Sequence, residues 1–495
     1  MPRTTLALTS FVSGEFSAKL DGRTDFAKYQ TSCKTLENFL IHPQGAATRR
    51  VGTQFISEIK DSTKKTRLIP FEFSTTQTYI LEFGNQYIRF YKDKGQILSG
   101  GSAYEISSPY LEAELFDIKF AQSADVMYLV HPNHETSKLS RTGHTSWSLD
   151  EVEFTDGPYL AVNTTSTTMS PSATTGNGIT ITASANTFVS TDVGRLINFS
   201  NGYAKITAFS SATSITADVK DDFDTTSANT DWKLGAFSDT TGHPSCVSFF
   251  EQRLVFAGTS SEPQTLYFSK SGDYENMTAG TNADDAMVYT IASNQVNVIR
   301  FLKTQRTLIV GTVGGEFTVS ADGTDAAVTP TNITIKRQSS YGSANVDAIP
   351  AGNATLFLQR AKRKIRELSY NFDVDGYQAA DLTILNDVVT KTGINEMTYQ
   401  QSPDSILWCV RDDGVLAGLT YLRGEEVIAW HRHILGGSFG DGNAVVESVA
   451  SISGELNEDE LWVIVKRTIN GATKRYVECF AQFDFDETTP TDFRF

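Results

Sequence analysis

Cysteine is scarce in this chain of 495 residues: Cys33, Cys246, Cys409 and Cys479 lie far apart, with no CxxC pair. Cys246, Cys409 and Cys479 each sit inside an apolar run, where a small buried thiol is expected rather than a disulfide. The chain therefore reads as made in a reducing cytoplasm. No run of about 18 apolar residues occurs, which excludes a membrane-spanning helix. The start, Met1-Pro2-Arg3-Thr4-Thr5, lacks the apolar core of a secretory signal. A basic block is missing too, and the net charge is −16. A protein that grips nucleic acid concentrates Lys and Arg against phosphates, so that class is excluded. A wall along which DNA slides remains open, because acidic surface repels phosphate. Finally, no nucleophile elbow, P-loop or dinucleotide fingerprint is present. Gly311-Thr312-Val313-Gly314-Gly315 reads as a hairpin turn between strands, not a phosphate loop.

What is present is β structure. Forty per cent hydrophobic residues and 31 Phe supply a sizeable core. In the stretch 242–344, Val247-Ser248-Phe249-Phe250, Leu254-Val255-Phe256-Ala257 and Thr265-Leu266-Tyr267-Phe268-Ser269 form one unit of short strands. Val298-Ile299-Arg300-Phe301, Thr307-Leu308-Ile309-Val310-Gly311 and Glu316-Phe317-Thr318-Val319 form the next. Runs of β-branched and aromatic residues punctuated by Gly, Pro and Asn-Asp clusters predict antiparallel strands. Their recurrence predicts propeller-like blades. Similar units fall at 66–91, 115–154, 354–370, 397–434 and 445–480, giving six or seven blades.

The units at 120–147 and 397–434 echo one another. Gln122-Ser123-Ala124-Asp125 and Gln401-Ser402-Pro403-Asp404 each precede a run ending in Val, and Trp147 or Trp430 closes the unit. Both tryptophans are expected to pack between blades. Residues 160–238 break the pattern: Thr, Ser and Ala dominate and aromatics thin out. Such a shift predicts an inserted small β domain, a sandwich or barrel, with Trp232 packing inside it. Phe26, Tyr29, Cys33 and Leu36 keep helical spacing, so a short helix is expected around 24–37, and another at 380–386. The chain divides into 1–60, a helix-and-turn N-terminal segment; 61–159, the first blades; 160–238, the insertion; and 239–495, the remaining blades.

Chemistry-bearing clusters are few. His131-Pro132-Asn133-His134 and His431-Arg432-His433 are the close histidine pairs. Alternate strand positions share a face, so His431 and His433 meet, yet no third ligand is evident and no metal site is assigned. Asp284-Asp285 and Asp412-Asp413 fall in turn-like contexts, which turn chemistry explains. Arg49 and Arg50 are adjacent, with a carboxylate salt bridge as their ordinary role. With 58 acidic residues, no glycosidase pair stands out. Neither catalytic residues nor cofactors are assigned, which favours a structural protein over an enzyme.

Several long runs have no generic β-protein character. They are Asp25-Phe26-Ala27-Lys28-Tyr29, Asn38-Phe39-Leu40-Ile41-His42-Pro43-Gln44-Gly45-Ala46-Ala47-Thr48-Arg49-Arg50-Val51-Gly52-Thr53 and Leu68-Ile69-Pro70-Phe71-Glu72-Phe73. Gln252-Arg253-Leu254-Val255-Phe256-Ala257-Gly258, Ile291-Ala292-Ser293-Asn294-Gln295-Val296-Asn297, Gln338-Ser339-Ser340-Tyr341-Gly342-Ser343-Ala344 and Trp430-His431-Arg432-His433 follow. Across nearly its whole length the chain resembles the tail nozzle (tail tubular protein B type) of short-tailed bacteriophages. That resemblance implies a homohexameric ring with a propeller-like core in the virion tail, assembled in the host bacterial cytoplasm. It implies partners in the tail adaptor, in tail fibres or tailspikes and in distal tip or needle proteins. Phage DNA would pass through the lumen without specific binding. On this reading Asp284, Asp285, Asp412 and Asp413 are candidates to line the channel. Arg49 and Arg50 are candidates to contact a neighbouring subunit or the adaptor. The alternatives are a host-glycan-binding tail module and a propeller glycosidase.

Overall fold

Runs such as Tyr79-Ile80-Leu81 are apolar at consecutive positions because both faces of their strand are covered. The computed structural model describes residues 8–292, 296–323, 326–454 and 458–481. Among these residues, strands of this kind assemble into seven antiparallel sheets, six of four strands and one, blade 1, with a short fifth strand, Gly95–Gln96. Blade 1 is Arg67–Ser74, Gln77–Gly84, Tyr87–Lys92 and Glu105–Ser107; blade 2 is Lys119–Ser123, Val126–His131, His134–Gly143 and Ser146–Glu151. Blade 3 is Cys246–Phe250, Arg253–Ala257, Thr265–Phe268 and Met287–Thr290. Blade 4 is Ile299–Thr304, Leu308–Thr312, Gly315–Ser320 and Thr334–Ser339. Blade 5 is Ile349–Ala351, Ala354–Leu358, Ile365–Asn371 and Gly376–Asp381; blade 6 is Ile394–Gln400, Ile406–Arg411, Leu416–Leu422 and Val427–His433.

Blade 7 is built from both ends of the described chain. Val445–Ser453, Asp459–Ile469 and Ala472–Phe480 supply three strands, and Thr53–Glu58 pairs with the last as the fourth. First strands of blades 2 and 3, 3 and 4, 5 and 6, 6 and 7, and 7 and 1 touch, so they ring the axis. Each pair of adjacent blades shares one apolar core. In blade 1, Tyr79, Leu81 and Phe83 pack toward blade 2, while Leu68, Ile80 and Tyr91 pack toward blade 7. Side chains alternate along a strand, so one strand serves two cores.

The segment before Thr53 straps across the outside of blade 6. Glu15 grips Arg432 (Oε1 to Nη2, 2.8 Å) and accepts the Leu36 N–H (3.0 Å), beside a small core of Leu36, Ile41, Val427 and Ala429. Gly14 lies so close to the outer strand that a Cβ would come within 2.3 Å of the Trp430 amide nitrogen. The helix expected around 24–37 is replaced by a 3-10 turn, Ala27–Thr31, and a short strand, Ser32–Cys33. A helix that short is marginal by itself, and here the backbone bonds outward instead, Leu36 accepting from Arg432 and Thr31 from Ser13. The helix expected at 380–386 is also absent. Asp381 ends the outer strand of blade 5 and its side chain caps Thr383.

The insertion interrupts the link between blades 2 and 3. Its strands Met169–Pro171, Ile179–Ala183, Leu196–Phe199, Gly202–Ser211, Ser214–Asp221 and Trp232–Leu234 form one sheet. Backbone bonds between Met169 and Asn229 join its two ends (2.9 and 3.1 Å), so the sheet curls into a small barrel. Trp232 is half-buried, donating its indole N–H to Thr167 O (3.0 Å). The chain leaves and re-enters side by side, Tyr159 bridging Gly235. The far boundary therefore falls at 235 rather than 238: Ala236 and Phe237 already pack between blades 2 and 3.

Candidate functional site

In this up-and-down order, links between blades and turns from second to third strand share one face of the ring. Turns from first to second and from third to fourth strand share the other. The insertion springs from the first of these faces.

On the axis, Arg67 of blade 1 reaches Glu396 of blade 6 (Nε to Oε1, 3.0 Å). The other carboxylate oxygen accepts Ser448 Oγ (2.7 Å) and the Val449 N–H (2.9 Å). Lys119 of blade 2 reaches Asp347 beside blade 5 (3.2 Å). The cavity they leave is about 30 Å³, space for a water or two. Burial pushes the Glu396 carboxyl above its ordinary range against the opposing pull of Arg67. Burial likewise pushes the Lys303 amine down, with Asp347 opposing. The hole of a single propeller is thus closed by ion pairs that bridge it.

The insertion-bearing face carries two features. A cleft of about 130 Å³ separates the barrel from blades 2 and 3, with Phe154, Phe237 and Tyr203 beside Glu135, Lys205 and Lys220. Burial first, then the Glu151 carboxylate, raises the pKa of Glu135. Nearby, Glu114 Oε2 lies 2.8 Å from His134 Nε2, and the His131 and His134 rings are 5.0 Å apart. The Leu111 N–H and His134 hold Glu114 below the usual carboxylate range although burial opposes them. The sequence shows the two histidines as a pair. Glu114, from the link between blades 1 and 2, is supplied by the fold alone.

The other pair is blind. His431 and His433 are fully buried and hydrogen-bonded to each other (2.6 Å). Thr420 gives its hydroxyl proton to Ile41 O (2.7 Å) and so accepts from His431 Nε2 (3.2 Å). His431 Nδ1 then accepts from His433 Nε2, leaving His433 Nδ1 without a partner among the described residues. Burial depresses both, His431 to about 3, so both are neutral. Gly418 is required opposite: a Cβ there would come within 2.1 Å of the His431 ring.

The four aspartates do not converge. Asp284 and Asp285 lie between the third and fourth strands of blade 3, Asp412 and Asp413 between the second and third of blade 6, on opposite faces. Three of the four side chains have local work. Lys270 lies 3.3 Å from Asp284, Asp285 caps Asn282 (2.9 Å), and Asp413 holds Arg411 through two bonds (3.0 and 2.5 Å). The Asp412 N–H bonds Gly393 O (3.1 Å). Arg50 is spent inside the chain on Asn38, Val51 O and Ile434 O (3.1, 2.8 and 2.9 Å). The Arg49 side chain is exposed and makes no hydrogen bond or ion pair with the described residues. It borders a groove of about 720 Å³ beside the exposed Phe55. Of the runs that carry the nozzle resemblance, 293–295 lie outside the described residues.

Strand pairing alone defines the class: a seven-bladed β-propeller with a barrel inserted between blades 2 and 3. No family model and no curated protein matches the chain. Solved structures similar to it include the β-propeller domain of Cps50 (Swd1) from Myceliophteria thermophila, at 8% identity, 87% of this chain, 100% of that one and a TM-score of 0.39. Another is YCF48 bound to D1 peptide, at 8% identity, 89% and 97% coverage and a TM-score of 0.40. The C-terminal WD40 domain of Sif2 is a third, at 8% identity, 87% and 100% coverage and a TM-score of 0.37. Among the described residues no helix is long and apolar enough to cross a membrane.

Proposed function

We propose that this chain is a structural virion protein, the tail nozzle of a short-tailed bacteriophage, acting as a homohexameric ring through which DNA is ejected. The observation that carries this reading is the run 38–53. It is the longest of the runs that resemble that family, and it leads directly into the strand that closes blade 7. It also presents the unpaired Arg49 next to the exposed Phe55, a surface suited to a neighbouring subunit or the adaptor. Head-to-tail contacts close rings. Because ion pairs close the axial hole of each propeller, the DNA conduit is the space enclosed between chains. Six chains of charge −16 make a wall that repels phosphate if acids face it. The chain does no chemistry on the DNA, and fibres or tip proteins dock on the outer surface. Negative-stain imaging of the purified protein tests the proposal: six-fold rings are expected, and monomers at all concentrations would overturn it.

A second reading, a host-glycan-binding module, is favoured by the cleft beside the insertion, where aromatic faces meet carboxylates and amines. Binding to host polysaccharide that is lost in Tyr203→Ala would support it.

A further inference from the structure

We propose that Glu114, His131 and His134 form a binding site for one divalent transition-metal ion, of which Zn²⁺ is the representative, clamping blade 1 to blade 2 at the base of the insertion. One donor atom from each residue lies within 4.8 Å of the other two. Two imidazoles and a carboxylate are the donor set that borderline ions such as Zn²⁺ prefer.

The donors are held by three short, well-anchored pieces of chain. His131 ends the second strand of blade 2 and His134 begins the third, across a tight turn. Glu114 ends the 3-10 turn Glu112–Glu114 in the link from blade 1. The Leu111 N–H and His134 both use Glu114 Oε2, and no described residue bonds Oε1. His131 receives only the Asn133 N–H, at 3.2 Å on Nδ1, which leaves Nε2 uncommitted. Tyr110 supplies an independent sign of an unfilled polar site. It is fully buried, its ring stands edge-on to His134 at 5.1 Å, and its hydroxyl makes no hydrogen bond of good geometry with the described residues. The nearby Ser137 hydroxyl turns instead to Glu135 O (3.4 Å).

Bonds of about 2.0–2.1 Å to a tetrahedral ion set the donors about 3.3 Å apart. The 2.8 Å contact between Glu114 and His134 therefore opens slightly as the ion replaces the proton between them. The remaining gap to the buried His131 closes by rotation of the half-buried Glu114 and His134 side chains toward it. Binding through Nε2 puts the His131 proton on Nδ1, so the ring turns that nitrogen away from the Asn133 N–H it now accepts. The fourth position goes to water. Pro132, between the two histidines, accepts the N–H of His243, where the chain returns from the insertion (3.1 Å). An ion here thus ties the interblade link, the hairpin and the insertion's return together.

The test uses the full chain, stripped with a chelator and titrated calorimetrically with Zn²⁺, with Co²⁺ as a spectroscopic probe. One ion per chain, intense Co²⁺ bands of low coordination and a raised melting temperature are expected. Glu114→Gln and His134→Gln, at half-buried positions, should each weaken binding about tenfold or more while melting like the parent without metal. His144→Asn, at an exposed histidine on another turn, should bind as the parent does. Absence of binding by the parent overturns the proposal, as does unchanged affinity in Glu114→Gln and His134→Gln.

Discussion

Tyr79 and Ile80 are neighbours in one strand yet belong to two different cores, one facing blade 2 and one facing blade 7. In the insertion, Ile179, Ile181 and Ala183 are buried in one shared core while Thr180 and Thr182 between them are exposed. The ring spends both faces of its strands on neighbours, so each blade is stable only between two others. The barrel curls one face inward and turns the other to water, so its core involves no blade. Composition follows: two-sided strands need unbroken apolar and aromatic runs, one-sided strands alternate with Thr and Ser. The comparison says that the ring behaves as one cooperative unit and the barrel as another.

The largest effect should come from breaking the ring. Removing residues 1–58 deletes the strap and the fourth strand of blade 7, baring the edge that carries Val477 and Cys479. Unpaired edges of this kind invite aggregation. The truncated chain is expected to lose its ring melting transition while the barrel's persists in calorimetry. A ring that melts as the parent does would break the comparison.

Next come single side chains. Trp147 stacks on Phe90 (4.5 Å) and meets Phe71 edge-on (4.8 Å) in the core of blades 1 and 2. Trp430, in the corresponding outer strand of blade 6, packs toward blade 5 and donates to Leu382 O (2.9 Å). Either change to Ala should cost the ring about 3–5 kcal/mol by denaturant unfolding. Trp232→Ala, at a half-buried site, should cost less and lower only the barrel's transition.

These tryptophans also mark what the sequence makes legible. Blade positions, the insertion and the equivalence of Trp147 with Trp430 follow from apolar runs and turn residues, because local pattern sets strand and face. Thr53–Glu58 was not recognisable as a strand of blade 7, since its partner lies at the far end of the chain and none of its own residues is fully buried. The helical spacing at 26–36 misled for the same reason: pairing with the edge of blade 6 decides that conformation. Glu114 beside the histidines, and Arg67 opposite Glu396, are meetings across blades that no local spacing encodes.

A smaller effect is set by pH. Burial keeps His431 and His433 neutral in the ring, whereas unfolded histidine titrates near pH 6.5. Their folded pKa is depressed, so their contribution is intact above about pH 6.5 and is lost as pH falls, the unfolded chain taking up protons that the folded one refuses. Each costs up to about 1.4 kcal/mol per pH unit below that point. Buried carboxylates with raised pKa, such as Glu82 and Glu396, act with the opposite sign. The contribution is therefore read as the difference in slope between the parent and His431→Gln/His433→Asn from pH 7 to 5.5. The insertion contains no histidine, so its transition should not move in that window; equal slopes in parent and variant would sink the account.

The smallest effect is expected from removing the barrel. Its two ends run antiparallel, Leu160 N–H to Leu234 O at 2.9 Å and Ala236 N–H to Pro158 O at 2.8 Å, so a short glycine linker spans the cut. Ala236 is fully buried and Phe237 meets Tyr267 edge-on at 5.0 Å, both on the ring's side of that pairing. What the cut severs is mainly polar, including Thr240 Oγ1 to Asp192 at 2.7 Å. Excising 161–234, which leaves Leu160 against the core of blades 2 and 3, should therefore shift the ring's stability by no more than about 0.5 kcal/mol, the range of surface changes. Excising 160–238 removes Ala236 and Phe237 as well and should cost the ring several-fold more, as a cavity between blades 2 and 3 does. Equal melting temperatures for the two deletions would place Phe237 with the barrel, and collapse of both would show that ring and barrel fold as one.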